Sequence, residues 1–421
     1  MEVGTEDSLP CPHPDWTPED LVRRAVEMVP TLRDRQEQCE QEGRLPEITN
    51  DEFVEAGFYR ILQPRRFGGY EFDMPTFARV MIEVARGCPS SGWVLALTGG
   101  HAIMLSAFFS EAAQIDIYGT EGEFRGPSST PPRVVAKPVE GGYLVGGDWD
   151  YASGIDISTH FIGGIAVPSG RPDGPPTEPR MAVLDRKDYS IVDNWQVIGM
   201  RGTGSRRVVA HDVFVPLHRT IVPPRDAFNA RNAPGRSVHQ NPMYCAGRLT
   251  SVLLEEMAAV AVGVAKGLLD VFEADVSKKP VRLAPPGTTQ ADNAAYQRHY
   301  GEAWALIHVA EATVLKVAND YMDFAREDAT LGIEFSDERD QQLQLLEQYA
   351  TKLAGDAVDL MFRTSGTSSA QEGSMLQRYF RDMSVINTHI AAQYERGAEG
   401  LGRVHFTGQV APRSVLQQSP L

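Results

Sequence analysis

Cysteine is scarce in this sequence: the 421 residues include only Cys11, Cys39, Cys88 and Cys245. These four are widely separated and form no Cys-x-x-Cys pair, which excludes a disulfide framework and a thiolate metal site. None of the ten histidines follows a glutamate at Glu-x-x-His spacing, so a di-iron helical bundle is also excluded. We therefore expect no metal site and a reducing compartment.

Positive charge and long apolar runs are also lacking. Lys and Arg total 40 against 56 Asp and Glu, a formal net charge of −16, which disfavours nucleic acid and anionic membranes as partners. The longest apolar candidate, Val94 to Phe109, is interrupted by Gly99, Gly100 and His101 and stays below the ~18 residues of a membrane span. The polar, acidic segment Met1 to Asp7 does not resemble a signal peptide. These features predict a cytoplasmic protein with no nucleic-acid or membrane partner.

Nucleotide-binding and hydrolase signatures are missing as well. Gly202-Thr203-Gly204 is followed by Ser-Arg-Arg and a predicted strand, not by the helix that a dinucleotide fingerprint requires. No Walker motif, His-Glu-x-x-His or Gly-x-Ser-x-Gly occurs. The chain is therefore not expected to bind NADH in a Rossmann turn.

The periodicity of apolar residues divides the chain into three parts. Residues 1–122 carry apolar positions at helical spacing and predict an N-terminal helical domain. Residues 123–225 hold short, alternating, β-branched segments with no helices between them, and predict a central antiparallel β-domain. Residues 226–421 carry long amphipathic stretches that predict a C-terminal four-helix bundle. The fold class is therefore α+β.

Individual elements are predicted within each part. The N-terminal helices fall at 17–43, 50–56, 74–86, 90–109 and 111–118. The strands fall at 134–139, 142–149, 160–167, 180–184 and 207–215, with a proline-rich loop at 168–179. The bundle helices fall at 249–274, 290–324, 337–364 and 375–392.

Two segments in the β-rich part carry a family resemblance. One reads Gly146-Gly147-Asp148-Trp149-Asp150-Tyr151-Ala152-Ser153-Gly154, and the other reads Gly199-Met200-Arg201-Gly202-Thr203-Gly204-Ser205 before a strand ending in Val215-Pro216. Their order and spacing resemble the acyl-CoA dehydrogenase superfamily, in which both segments cradle a flavin. The resemblance covers about residues 18 to 405 and implies the acyl-CoA dehydrogenase fold.

The resemblance also implies cofactor contacts. Ser153 and the backbone around it would face the N5 and O4 edge of the flavin, with tryptophans as dry walls beside it. An anionic cofactor needs fixed cations, which makes two arginines candidates for the flavin phosphate. The full set is Trp93, Trp149, Ser153, Gly154, Arg248, Arg282 and Thr367.

The C-terminal part departs from the dehydrogenases. Those enzymes commonly carry a carboxylate base in a Tyr-Glu-Gly-Thr stretch, where this chain has Thr364-Ser365-Gly366-Thr367. A serine hydroxyl is too weakly basic to replace that carboxylate unaided. The run Leu376-Gln377-Arg378-Tyr379-Phe380-Arg381-Asp382, with His389 seven residues on, instead resembles the flavin-dependent two-component monooxygenases. That group includes the oxygenase components of p-hydroxyphenylacetate hydroxylase and dibenzothiophene monooxygenase.

An N-terminal pattern supports the same subfamily. Ser91-Gly92-Trp93 followed by His101 is similar to its Ser-x-Trp with a histidine eight residues later. On one helix this spacing leaves Trp93 and His101 about 80° apart, so both can border one pocket. Ser128 is similar to a serine that hydrogen-bonds the phenol oxygen in phenol-oxidising members, and Ser129 is the alternative at this position.

The resemblance implies the candidate catalytic residues His389, His101 and Ser128. His389 is the first choice for the acid–base group and His101 the second. On the predicted 375–392 helix His389 shares a face with Arg378 and Asp382, so an ion pair within the bundle with either residue is the structural alternative for His389.

The activity that follows is that of a monooxygenase oxygenase component. The resemblance implies FMNH2, or FADH2, from a separate NAD(P)H:flavin reductase, with O2 as co-substrate and a flavin C4a-hydroperoxide as the oxygenating species. That species is electrophilic, so an electron-rich aromatic substrate such as a phenol or indole is expected. The alternatives are N- or S-oxygenation and an acyl-CoA dehydrogenase-like activity. The resemblance also implies a homotetramer.

Overall fold

A computed structural model describes residues 8–170, 177–223, 229–281 and 284–410 of the chain. Arg282, one candidate for the flavin phosphate, lies outside these residues. The predicted boundary between residues 225 and 226 also lies outside them. The 122/123 boundary stays a prediction.

The N-terminal part is helical, as predicted. Its first helix begins with a capping box, in which the Thr17 hydroxyl accepts from the Asp20 amide and Asp20 accepts from the Thr17 amide. The predicted 17–43 helix is broken at Arg35 into two helices. The helices are α1 Pro18–Asp34, α2 Gln36–Glu42, α3 Glu47–Glu55, α4 Met74–Gly87, α5 Pro89–Gly100, α6 Ala102–Phe108 and α7 Glu111–Tyr118.

The α5–α6 segment forms the centre of this part. By length and composition alone Pro89–Phe108 could cross a membrane, with a mean hydropathy of 1.3, but 94% of it is buried inside the protein. Its apolar character therefore matches a core position. The predicted continuous 90–109 helix is interrupted at His101, where α5 ends and α6 begins.

The central part consists of two four-stranded sheets. One has the strand order β1-β4-β5-β8 and the other β2-β3-β7-β6. All pairings are antiparallel, as predicted, except that β1 runs parallel to β4. The strands are β1 Ser128–Val135, β2 Lys137–Val139, β3 Gly142–Ala152, β4 His160–Pro168, β5 Thr177–Asp185, β6 Ser190–Val192, β7 Arg206–Pro216 and β8 Thr220–Ile221.

The C-terminal part is a helical bundle. Its longest helices, α10, α11 and α12, pack on one another, and α10 also packs against α4 and α5 of the N-terminal part. The predicted 375–392 helix ends at Ile386, and a further helix, α14, packs on α12. The helices are α8 Gly235–Val238, α9 Pro242–Cys245, α10 Leu249–Val276, α11 Ala294–Leu331, α12 Asp337–Thr364, α13 Met375–Ile386 and α14 Tyr394–Thr407.

Candidate active site

The three parts of the fold meet at Trp93. This residue lies on α5 with 8% of its surface exposed, and its indole Nε1–H donates to Ser153 Oγ, just after β3, at 3.1 Å. The edge-to-face contact of its ring with His389 has a centroid separation of 5.5 Å. Three predicted site residues from distant parts of the sequence are thus brought together.

Ser153 is part of a chain of three side-chain hydroxyls. Ser153 Oγ lies 2.7 Å from Ser205 Oγ, which lies 2.7 Å from Thr203 Oγ1. The Thr203 hydroxyl donates to the Met200 carbonyl oxygen at 2.9 Å. We call Ser153, Ser205 and Thr203 the hydroxyl chain. It connects the two sequence segments that carry the family resemblance.

The loop that holds the hydroxyl chain is fixed to α13. Met200 has a positive φ of 53°, a conformation that costs energy for a residue with a side chain. Its amide donates to Asp382 Oδ1 at 2.5 Å. A Cβ on Gly199 would lie 2.1 Å from the Arg381 carbonyl oxygen, so only glycine permits this approach. Burial raises the pKa of the Asp382 carboxyl to about 7.

Gly154 supports the same arrangement from β3. Its φ of +73° favours glycine, and its amide donates to the Thr203 carbonyl oxygen at 2.8 Å. A Cβ at this position would lie 2.7 Å from a Val94 methyl group on α5. Glycine therefore allows the end of β3 to approach both the helix and the loop closely.

His101 lies at the break between α5 and α6 and is fully buried. Its Nδ1 is 2.7 Å from the Gly126 carbonyl oxygen, which can only accept, so Nδ1 carries the proton and Nε2 has a free lone pair. Among the described residues Nε2 has no hydrogen-bond partner. Burial lowers the pKa of His101 to about 4, so the ring is neutral at physiological pH.

His389 has the opposite tautomer. The Ala391 amide donates to its Nδ1 at 3.2 Å, so the neutral ring carries its proton on Nε2. The residue is exposed in the single chain, yet the surrounding protein lowers the pKa of its ring by desolvation. His389 follows α13 and does not share its helical face. The predicted ion-pair alternative is wrong, because Arg378 donates to Glu40 and Asp382 accepts from Met200.

The two candidate serines at the start of β1 have different surroundings. The Ser129 hydroxyl donates to the Asp150 carbonyl oxygen at 3.1 Å. The Ser128 side chain is half-buried and has no hydrogen-bond partner among the described residues. Ser128 also lies two residues after Gly126, the partner of His101. These contacts favour Ser128 over Ser129 as the residue free to bind a substrate.

Two predicted cofactor contacts are corrected by the structure. Trp149 is fully buried between the two sheets against Phe161, and its Nε1–H donates to the Gly164 carbonyl oxygen at 2.8 Å. Arg248 is 2% exposed and forms an ion pair with Asp337 at 2.5 Å, while its Nε donates to the Phe335 carbonyl oxygen. Both side chains are thus committed to the protein interior, and neither is assigned to the flavin.

The stretch that replaces the dehydrogenase base follows α12. Ser365 is buried and its hydroxyl donates to the Met361 carbonyl oxygen at 2.6 Å. Thr367 lies in an exposed turn, Thr367–Ala370, and its role as a cofactor contact stays a prediction. This stretch therefore offers no carboxylate for proton abstraction.

Comparison with known proteins identifies the family. Residues 19–118 match the N-terminal domain of acyl-CoA dehydrogenase and residues 256–394 match its C-terminal domain. The chain is 34% identical over 388 residues to the flavin-dependent monooxygenase oxygenase subunit HsaA of Rhodococcus jostii, covering 91% of this chain and 98% of HsaA. The chain belongs to the flavin-dependent monooxygenase oxygenase subunits. It therefore uses reduced flavin and acts in a two-component system with a separate reductase.

Other proteins are similar to this chain over nearly the same length. The oxygenase component of p-hydroxyphenylacetate 3-hydroxylase from Acinetobacter baumannii is 26% identical over 392 residues, covering 93% of this chain and 90% of that protein. The structure of XiaF from Streptomyces sp. in complex with FADH2 and glycerol has a TM-score of 0.83 and 25% identity, covering 94% of this chain and 97% of that one.

The residues around Ser153 fit a reduced flavin chemically. Reduced flavin carries a hydrogen on N5 and needs an acceptor there, and a serine hydroxyl oxygen has two lone pairs. One lone pair of Ser153 receives the Trp93 N–H, and the other can receive N5–H. Bound reduced flavin would supply the two electrons that reduce O2, and Ser153 and Trp93 are the residues that would hold the ring edge and exclude water.

Sequence reasoning did not identify Ser205 or Thr203 as site residues. Both lie in the Gly199–Ser205 segment that carried the resemblance, but the link from Ser205 to Ser153 spans 52 residues. Asp382 was predicted as a partner of His389, yet it binds the Met200 amide. The signal that could have found these residues is the run of hydroxyl side chains ending the second segment.

Proposed function

We propose that this oxygenase hydroxylates a phenol or an indole-like ring. One aromatic C–H group, O2 and reduced flavin give the hydroxylated ring, water and oxidised flavin. The observation that supports this proposal is the continuous contact from Ser153 through Trp93 to His389. It joins the group facing the flavin edge to a group that can face the substrate, across one dry indole ring.

The tautomers suggest a division of labour between the two histidines. His101 is neutral with a free Nε2 lone pair, so it is suited to accept a hydrogen bond from a phenol hydroxyl, while its pKa of about 4 makes it a weak proton acceptor. His389 carries its proton on Nε2 and is suited to donate a hydrogen bond to the phenol oxygen. Ser128, close to Gly126, is the third group proposed to contact this oxygen. His389 thus stays the first choice for the acid–base group, and His101 is proposed to orient the hydroxyl.

The proposed assembly is a cytoplasmic homotetramer. Large apolar side chains on α11 and α12 remain exposed in the single chain, notably Trp304, Val309 and Tyr349, and association with other copies of the chain would cover them. The formal charge of −16 favours solubility. Light scattering at micromolar concentration should give four times the chain mass, and a stable monomer would contradict this assembly.

A titration and a substrate panel test the proposed function. The protein is titrated anaerobically with FMNH2 and with FADH2, which ranks the two cofactors. The loaded protein is then mixed with O2 and with a phenol, an indole, a thioether or an amine. Hydroxylated phenol or indole supports the proposal, whereas a sulfoxide or N-oxide alone assigns S- or N-oxygenation. Dye reduction with acyl-CoA instead would indicate the dehydrogenase activity.

A further inference from the structure

We propose that Ser205 and Thr203 are positioning residues that keep the Ser153 hydroxyl in an acceptor-only orientation toward flavin N5. The inference rests on the proposed placement of Ser153 at N5. It assigns to the hydroxyl chain a selectivity for reduced flavin, which carries N5–H, over oxidised flavin, whose N5 is an acceptor. Both residues are interior, with Ser205 3% exposed and Thr203 1% exposed.

The two ends of the hydroxyl chain determine its direction. At one end the Trp93 indole has a hydrogen and no acceptor, so it can only donate to Ser153. At the other end the Met200 carbonyl has no hydrogen, so Thr203 must donate to it. Each hydroxyl between them has a single hydrogen to place.

Counting hydrogens then fixes every bond between the ends. The Thr203 hydrogen goes to Met200, so the Thr203–Ser205 contact must be made by the Ser205 hydrogen. The Ser153–Ser205 contact must in turn be made by the Ser153 hydrogen. Ser153 therefore points its hydrogen away from the flavin edge and presents only oxygen lone pairs.

The opposite direction is disfavoured by the same geometry. It would place lone pairs of Thr203 Oγ1 and of the Met200 carbonyl oxygen face to face at 2.9 Å. The carbonyl position is itself held, because the Met200 amide is bound by Asp382 at 2.5 Å. Successive hydroxyls in such a chain also polarise one another, which strengthens Ser153 as an acceptor.

Removal of Ser205 should release the Ser153 hydrogen. In Ser205→Ala the Ser153 hydroxyl can rotate and donate to N5 of oxidised flavin, while it becomes a poorer acceptor for N5–H. The ratio of dissociation constants, oxidised over reduced flavin, should fall by roughly 2- to 10-fold, the equivalent of one hydrogen bond. Thr203→Val should act in the same direction, and Thr203→Ser should restore the parental ratio.

A second readout uses the protein without flavin. The indole N–H band of Trp93, isolated in ultraviolet resonance Raman difference spectra against Trp93→Phe, reports the strength of its bond to Ser153. This band should shift toward a weaker hydrogen bond in Ser205→Ala. The control is Ser106→Ala, which removes a fully buried hydroxyl on α6 that contacts Tyr118 and should change neither the band nor the flavin ratio.

Each outcome decides between the inference and the function on which it rests. An unchanged or increased oxidised-over-reduced ratio in Ser205→Ala, with Ser153→Ala reducing that ratio, overturns the inference alone. An unchanged ratio in Ser153→Ala removes Ser153 from N5 and overturns both. A fall in the ratio in Ser153→Ala, Ser205→Ala and Thr203→Val, with the expected Trp93 shift, supports the hydroxyl chain as the selective element.

Discussion

His389→Asn separates the local structural role of His389 from its proposed role in oxygen transfer. In the structure, His389 caps a short turn by accepting the Ala391 amide through Nδ1. Asparagine is among the best residues for such a cap, whereas alanine loses about 0.5–2 kcal/mol. His389→Asn should therefore keep the cap and remove the imidazole Nε2–H.

The size of the effect follows from the tautomer. A ring that donates through Nε2 contributes one hydrogen bond to a developing phenolate, worth about 1.5–3 kcal/mol, or roughly 10- to 150-fold in rate. This is less than the roughly 10²–10⁴-fold expected of a positioned proton acceptor. Oxygen transfer in His389→Asn should slow within the smaller range, and hydrogen peroxide should replace part of the hydroxylated product.

The assay is a single turnover of protein loaded with reduced flavin, mixed with O2 and a phenol. Product and hydrogen peroxide are quantified against the flavin oxidised, and the melting temperature is recorded beside them. His389→Ala should lower the melting temperature more than His389→Asn does. The two variants should form the same amount of hydroxylated product per flavin oxidised. Parental coupling in His389→Asn would refute the proposed role of this histidine.

Other consequences of the structure can be checked separately. His101→Asn keeps a donor for Gly126 but removes the Nε2 lone pair, so product formation should fall by roughly 2- to 10-fold, the equivalent of one hydrogen bond, with reduced-flavin affinity unchanged; parental product formation would argue against His101 as a contact of the phenol oxygen. Burial raises the pKa of Glu255 to about 8 from 4.5 and also raises that of its neighbour Glu347. Their contribution to stability is full below pH 4.5 and is lost as the pH rises toward and through 8. The free energy of unfolding should fall by about 1.4 kcal/mol per pH unit for each proton that only the folded state retains. Calorimetry across pH 6–9 should show this decline, and the decline should be flatter in Glu347→Gln. Arg248→Met should cost about 3 kcal/mol or more in the free energy of unfolding, because the buried Asp340 carboxylate, 4.0 Å from the guanidinium, loses its cation. Weaker reduced-flavin binding by the folded variant would restore Arg248 as a phosphate contact.

Apolar periodicity and motif order were sufficient to predict the architecture. Helical spacing before residue 122, alternation in the middle and long amphipathic stretches after 226 are local patterns, and the structure follows them. The two Gly-rich segments added the flavin-binding fold because their order along the chain is specific. The parallel pairing of β1 with β4 was not predictable, since strand direction depends on long-range topology.

The errors arose where a side chain has a distant partner. The sequence presents Arg248 as an available cation, but its charge is paired with Asp337, 89 residues later. Trp149 belongs to the interior between two sheets, and alternation along one strand does not say which aromatic residues face a cofactor. In both cases the hydrogen-bonding or ion-pair partner within the protein, and not the residue type, determines whether the side chain is available to a cofactor.

The end of α13 was also missed for a physical reason. Neither glycine nor proline marks the stop at Ile386, and the apolar residues Ile390 and Ala391 continue the helical pattern in sequence. In the structure the chain leaves the helix through Asn387 and Thr388, so His389 points toward Trp93. The predicted helical face shared with Arg378 therefore does not exist.

The most direct test of the proposed hydroxylation is a single turnover under ¹⁸O2 with reduced flavin and a panel of phenols and indoles. Aromatic hydroxylation predicts one ¹⁸O atom in the ring hydroxyl and one in water for each reduced flavin oxidised, with little hydrogen peroxide. Aromatic hydroxylation as the function of this chain would be contradicted by two results together. Flavin oxidation would yield only hydrogen peroxide with every phenol and indole, and ¹⁸O would be incorporated into a thioether or an amine.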